Sequence, residues 1–511
     1  MNTTTSEITS LSATEIATSI ATGQLTAVDA VGAHIARIEA VNPSLNAVVV
    51  PLFDDAMERA RVADRAPANE RGPLHGVPVT VKECFDIAGT PSTVGLTARA
   101  GHSASSDAPL VARLRQSGAI VLGKTNVAQL LMYVESDNPV YGRANNPWDL
   151  DRSPGGSSGG EAAMVAACGS ALGLGSDIGG SVRVPAHNCG VQALKPTPGV
   201  LSVEGTPRYM TTSATDAIPD SGGLIARRVA DLKLALSALS GPAGEVPEVG
   251  ALKVGFYDDD GYFPASSALK RAVREAATTL GARGCEVVEF KPDGIPEALD
   301  VFYGIFSADG GGEWRTLLAG GAVDPRVKDL LTLAGMPGLA RPLAAAAFKL
   351  QGQDRLARVV TASGRASDQR MRGLLQRRDD FRKQFAAAVS DAGVDVVICP
   401  PACVPAVTHG ATKDLGPASI SYTCLYNFLA YPAGAVTTTR VRDDETSQRP
   451  ESREKMARAA RAVDEGSAGL PVGVQVVAKP GGEDRVLAVM QELEDAAGTF
   501  SPADHLLRSS S

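Results

Sequence analysis

Two serines stand side by side between paired glycines in GGSSGGEAAM (155–164), and another glycine-framed serine, Ser181, follows twenty-four residues after Ser157 within GSDIGGSVRVPAHNCG (175–190). Upstream, VPVTVKECFD (77–86) carries Lys82 at the polar end of an apolar run. Taken alone, the first serine loop admits three readings. Gly155, Ser157 and Gly159 satisfy G-x-S-x-G, the turn that presents a nucleophilic serine after a hydrophobic strand, but the preceding RANNPWDLDRSP is polar and turn-rich. That reading would also draw a histidine from His187, His409 or His505. A phosphate cradle is offered nearby by GAIVLGKT (118–125), through Gly118, Gly123, Lys124 and Thr125. Its middle residues Ala119 to Leu122 form a β-strand run, however, where a cradle needs an open loop of N–H groups. In the third reading Gly155, Gly156, Gly159 and Gly160 only permit close packing, with Ala162, Ala163, Ala166 and Ala167 letting a helix press on a sheet.

Lys82, Ser157 and Ser181 considered together resemble the amidase signature family. The resemblance extends over most of the chain, through LHGVPVTVKE (74–83), GKTNVAQ (123–129), NNPWDLDRSPGGSSGGEAA (145–163), CGVQALKPTPG (189–199) and LPVGVQVVA (470–478). MYVESDNPVYG (132–142) and ISYTCLYNFLAYPAG (420–434) are most similar to its fatty acid amide hydrolase branch. The resemblance implies that Ser181 is the nucleophile, Ser157 the proton relay and Lys82 the base, with neither metal nor organic cofactor. It puts Ser157 after a cis peptide bond, which Gly156 tolerates best, and has Ser158 assist the relay. Leu131, Met132 and Tyr133 fall where that branch approaches its acyl channel, which favours an apolar or aromatic acyl group.

Acyl transfer also needs donors for the developing oxyanion, and DIGG ahead of Ser181 supplies consecutive N–H groups at Ile178, Gly179, Gly180 and Ser181. Asp177 and Arg183 flank this segment and are read as its supports; His187 and Cys189 are read as packed structural residues. Lysine is a base only when neutral, so its pKa must fall from about 10.4. Val77, Val79, Val81 and Phe85 provide the apolar surroundings for that. The expected substrate is a small-molecule amide, with aryl esters, anilides and carbamates (urethanes) able to supply the same carbonyl. The alternative is the glutaminase-bearing subunit of an aminoacyl-tRNA amidotransferase, which shares the three residues; the apolar insert near 335–360 and ISYTCLYNFL point away from it. A silent scaffold is the third reading, and the intact constellation argues against it. The family resemblance alone suggests a homodimer.

These side chains must be positioned by alternating strands and helices. VPVTVKE (77–83), GAIVLGKT, LKVGFY (252–257), CEVVEF (285–290) and DVVICP (395–400) read as strands, with helices through LVARLRQS, 269–280 and 370–390 between them. The expected fold class is α/β, with a large central mixed β-sheet covered on both faces. Two amphipathic helices are expected at the start, one capped by Ser12 and Glu15, the other running from Thr26 to Pro43 with Val28, Val31, Ile35 and Ile38 on one stripe. The chain then divides into an N-terminal helical arm (1–67), a single catalytic domain (68–500) with a cap insert near 335–360, and a tail (501–511). The insert reads as packed over the body, not docked on a membrane, and the charge-laced 443–469 as a solvated helix with loops.

A net charge of −8 argues against nucleic acid as partner. Without a signal-like N-terminus or an 18-residue apolar run, the default location is cytoplasmic. Seven scattered cysteines read as buried thiols, and six histidines, none spaced with a cysteine pair, argue against a metal site.

Overall fold

The computed structural model describes residues 4–207, 212–241, 244 and 248–501. All but the first residue of the expected C-terminal tail thus lies outside the described residues.

Three helices open the chain where two were expected. Thr5–Ser10 and Ala13–Ala21 are each closed by a capping box, Thr4 with Glu7 and Ser12 with Glu15. The third, Ala27–Leu45, runs through Pro43 instead of ending there. A proline in the last turn forfeits one N–H bond, and Asn46, left-handed at φ 46°, then closes the helix by donating its N–H to Asn42 O at 2.7 Å. Val31 and Ile38 of the expected stripe are buried, while Val28 and Ile35 are partly so.

Among the described residues the strands are β1 (Val48–Pro51), β2 (Pro78–Lys82), β3 (Ile120–Thr125), β4 (Asp137–Asn138), β5 (Gly142–Arg143), β6 (Leu172–Asp177), β7 (Gln192–Lys195), β8 (Ser221–Ala226), β9 (Lys253–Phe256), β10 (Glu286–Glu289), β11 (Val396–Cys399), β12 (Ala433–Arg440) and β13 (Pro471–Ala478). β4 and β5 pair with each other; the other eleven form one sheet in the order β1-β3-β2-β6-β8-β7-β12-β13-β11-β9-β10. It is mixed: β2 runs parallel to β3 and β6, and β9 to β10 and β11, whereas β8 is antiparallel to β6 and β7, and β12 to β7 and β13. β2, β3, β6, β7, β8, β11 and β13 are buried at every residue, so the sheet is covered on both faces. Because β3 is such a strand, its GK pair cannot open into a phosphate cradle.

Val81 of β2 pairs with Leu174 of β6 in parallel register, so Lys82 and Asp177, the last residues of these strands, emerge from the same edge of the sheet. In open α/β sheets this carboxyl edge is where ligands bind.

Within the insert, the helices Arg341–Leu350 and Asp354–Ala362 pack on each other around Ala345, Ala357 and Val360. The second helix is tied to the body by Arg355, which donates to Tyr262 O and pairs with Glu454, and by Arg358, which pairs with Asp300 at 2.9 Å. Leu343 and Leu350 of the first face solvent. The charge-laced segment differs from the solvated helix expected there: Lys455–Asp464 buries Met456, Ala460 and Val463, and Asp464 is a buried partner of Arg449 at 2.6 Å. Hydrophobic residues at one face of an alternating-charge helix decided this, which charge pattern alone does not show.

Candidate active site

Lys82 is fully buried, as are Val77, Val79, Val81 and Phe85. Its Nζ donates to Ser157 Oγ at 2.8 Å, with Ser176 Oγ at 2.9 Å and Ser176 O at 3.2 Å as further neighbours. Burial pushes the Lys82 pKa below the ordinary lysine value, against the nearby acidic groups Cys84, Asp177 and Glu161, which act in the opposite direction. The peptide bond Gly156–Ser157 is cis.

Gly156 is required by its neighbours as well: a Cβ there would lie 2.6 Å from both Tyr133 O and Glu135 N. The serine loop is therefore pressed against the segment that carries Leu131, Met132 and Tyr133. Ser136 completes the contact, accepting from Gly159 N at 2.9 Å through Oγ and donating its N–H to Gly155 O at 2.9 Å. Leu131 is buried, whereas Met132 and Tyr133 are partly exposed.

Ser158 donates its N–H to Ser181 O at 3.1 Å, which brings the second serine segment against the first. Its hydroxyl reaches Ser176 O at 3.3 Å, the carbonyl that also receives Lys82. Exposure rises along the expected relay, from 0% at Lys82 to 1% at Ser157 and 6% at Ser181. All three are buried. The Ser181 hydroxyl has no hydrogen-bond partner among the described residues, and Lys82 with Ser157 forms the one closed leg.

Of the four N–H groups expected to face an oxyanion, Gly180's is committed elsewhere: it donates to Asp177 Oδ1 at 2.8 Å. Those of Ile178, Gly179 and Ser181 meet no acceptor among the described residues. Gly180 sits at φ +123°, and a Cβ on it would strike Thr423 Oγ1 at 2.2 Å, so no other residue fits.

Asp177 and Arg183, both fully buried, form a two-pronged pair, Nε to Oδ2 at 3.0 Å and Nη2 to Oδ1 at 2.9 Å. Burial opposes ionisation of Asp177, yet the Arg183 guanidinium holds its carboxyl well below the usual range. Arg183 Nη1 continues to Gln475 Oε1 at 2.6 Å and Thr423 O at 3.0 Å, and Nη2 to Asn427 Oδ1 at 2.6 Å. Thr423 Oγ1 donates to Gly179 O at 2.8 Å. None of Ser176, Thr423, Asn427 and Gln475 was singled out in the sequence. Thr423 and Asn427 are four apart on one helix, Ser421–Phe428, and Gln475 is the lone polar side chain of PVGVQVVA; those were the available signals.

Glu161 is also new: a buried carboxyl beneath Lys82, accepting the Thr80 and Thr125 hydroxyls at 2.6 Å each and pushed up to about 8 by burial. His187 is buried, accepting the Gly473 N–H at Nδ1 (2.9 Å) and donating from Nε2 to Val404 O (3.2 Å), a structural role.

Among the described residues no group of His, Cys, Asp or Glu could hold a metal ion, and no helix is long and apolar enough to cross a membrane.

The profile of the family described as Amidase matches residues 29–487. The chain belongs to the amidase family. It is similar to fatty-acid amide hydrolase 1 of Sus scrofa, 34% identical over 500 residues, covering 93% of this chain and 84% of that protein. Indoleacetamide hydrolase of Bradyrhizobium diazoefficiens is 40% identical over 297 residues, 55% of this chain and 56% of that one. The solved structure of a fatty acid amide hydrolase superposes with a TM-score of 0.83 at 26% identity, covering 98% of this chain and 87% of the other. This amidase is an amide-hydrolysing enzyme of the amidase signature group, and its Ser-Ser-Lys constellation is typical of the family.

Proposed function

We propose that this amidase cleaves small-molecule amides with an apolar or aromatic acyl group through an acyl-enzyme on Ser181. Ser181 Oγ attacks the carbonyl carbon as its proton passes to Ser157 Oγ, whose own proton moves to the lone pair of neutral Lys82 Nζ. The N–H groups of Ile178, Gly179 and Ser181 take the negative charge that develops on the carbonyl oxygen. The proton returns along the same path to the leaving nitrogen, the C–N bond breaks, and water, deprotonated by the same relay, releases the acid.

The observation that carries this reading is the buried Lys82 amine 2.8 Å from Ser157 Oγ, with the Ser181 segment joined to the same serine loop through the Ser158 N–H. The acyl preference rests on the segment of Leu131, Met132 and Tyr133, which meets the serine loop at Tyr133, and on relatives whose names denote fatty-acyl and indoleacetyl amides. Aryl esters, anilides and carbamates present the same carbonyl and are taken as further substrates. Incubation with an activated aryl carbamate, followed by intact-mass measurement and peptide mapping, is expected to put one adduct on Ser181. Ser181→Ala is expected to lower kcat on an anilide by ~10⁴-fold or more. An adduct on Ser157, or turnover surviving that substitution, overturns the scheme.

A further inference from the structure

Arg326 lies outside the Ser-Ser-Lys machinery, on the helix Pro325–Gly335, yet it is 6% exposed and surrounded by three carboxylates. Its Nε and Nη2 reach Asp324 at 2.8 and 2.6 Å, Nη2 reaches Asp137 at 2.8 Å, and Nη1 pairs with Glu135 at 2.9 Å. The guanidinium carbon stands 5.7 Å from the centre of the Tyr133 ring. One side chain thus holds the start of its own helix, through Asp324, and three positions of the segment that presses on the serine loop.

That segment is fixed from other sides as well. The buried Glu135 carboxylate accepts the N–H groups of Gly410 at 2.7 Å and Thr412 at 3.0 Å, along with the Thr412 hydroxyl. Gln129 receives Asp324 N at 2.8 Å and donates to Ala322 O at 2.9 Å. Tyr133 and Glu135 in turn occupy the space a Gly156 side chain would need. Leu330 and Leu331 of helix Pro325–Gly335 are partly buried against the core. Arg326 thus joins this helix to the segment that carries Leu131 to Tyr133, through a planar fork that bridges several carboxylates where a point charge cannot.

We infer that Arg326 is a positioning residue for acyl specificity: by clamping Glu135, Asp137 and Tyr133 to helix Pro325–Gly335 it fixes the width and reach of the acyl side of the site. This rests on the reading that Leu131, Met132 and Tyr133 line that side. Purely structural service would predict an equal loss on every substrate; a clamp on one wall predicts a loss that grows with the acyl group.

The test is kcat and KM for acetyl, butyryl, octanoyl and benzoyl p-nitroanilides with wild type, Arg326→Met, Arg326→Lys and Asp329→Asn. Asp329 sits on the same helix in an exposed pair with Lys413 at 3.4 Å and controls for general loosening of the helix. Arg326→Met is expected to lower the octanoyl-to-acetyl ratio of kcat/KM at least tenfold, mainly through the octanoyl KM. Arg326→Lys is expected to fall between it and wild type, and it remains informative if the methionine variant does not fold. Equal losses on all four substrates, an unchanged ratio, or the same shift in Asp329→Asn overturns the inference. Failure of the acyl-serine reading is seen separately, as acetyl anilide turnover that survives Ser181→Ala.

Discussion

Of the three neighbours of Lys82 Nζ, the carbonyl of Ser176 can only accept, so it takes an N–H in either protonation state. The amine keeps a lone pair for the Ser157 proton only when it is neutral, and removal from water is what favours neutrality, against the nearby acids Asp177 and Glu161. The sign follows: the protonated ammonium cannot act as base, so kcat/KM on a neutral anilide falls as pH drops through the depressed Lys82 pKa and levels off above it. A pH profile measured with a substrate that does not itself titrate checks this. Lys82→Met is expected to lose the acidic limb together with most of the rate, and an unchanged limb in that variant would assign it to another group.

The elements around the site act as one polar cluster inside an apolar core. β6 delivers Asp177, the helix Arg183–Cys189 delivers Arg183, the helix Ser421–Phe428 delivers Thr423 and Asn427, and β13 delivers Gln475. Every Arg183 donor that is used ends on one of these elements, so the loop between Asp177 and Ser181 is held from three directions. Removing one member of a buried pair leaves an uncompensated charge, which costs far more than the pair contributes. Arg183→Met is expected to destabilise the fold by about 3–5 kcal/mol, read by chemical denaturation. Thr423 and Asn427 could have been suspected from their four-residue spacing, and Gln475 from its isolation in an apolar strand. Nothing in the local sequence joins them to Arg183, from which they are separated by well over two hundred residues.

For the whole molecule, two buried histidines link stability to pH. His187 has both ring nitrogens engaged, so a second proton would displace the Gly473 N–H. The buried Nε2 of His34 meets no partner among the described residues. Burial pushes both from the ordinary 6.5 down to about 4. Between those values the unfolded chain binds protons that the folded protein refuses, so this contribution to stability is complete above pH 6.5 and is lost as pH falls through 4. His187→Gln, which can still accept from Gly473 and donate to Val404, is expected to show a melting temperature that declines less steeply than that of wild type across this window, or rises more. A parallel decline in the variant would assign the slope to other groups.

The strand nature of β2 and β3 and the α/β alternation were legible because each is local, in periodicity and β-branched runs, whereas Lys82, Ser157 and Ser181 stood out through the resemblance to the amidase signature family and not through any local pattern. The local pattern was also enough to turn GAIVLGKT away from a phosphate cradle. Where the rule was purely local it could also mislead, as when Pro43 was taken for the end of a helix that Asn46 ends. What the tertiary structure alone decided depends on groups distant in the chain meeting out of water. It committed the Gly180 N–H to Asp177, placed Glu161 beneath Lys82, and closed Arg326 on three carboxylates. Hydrogen bonds and charges of this kind gain their strength from burial, and burial is a property of the packed chain, not of any segment of it.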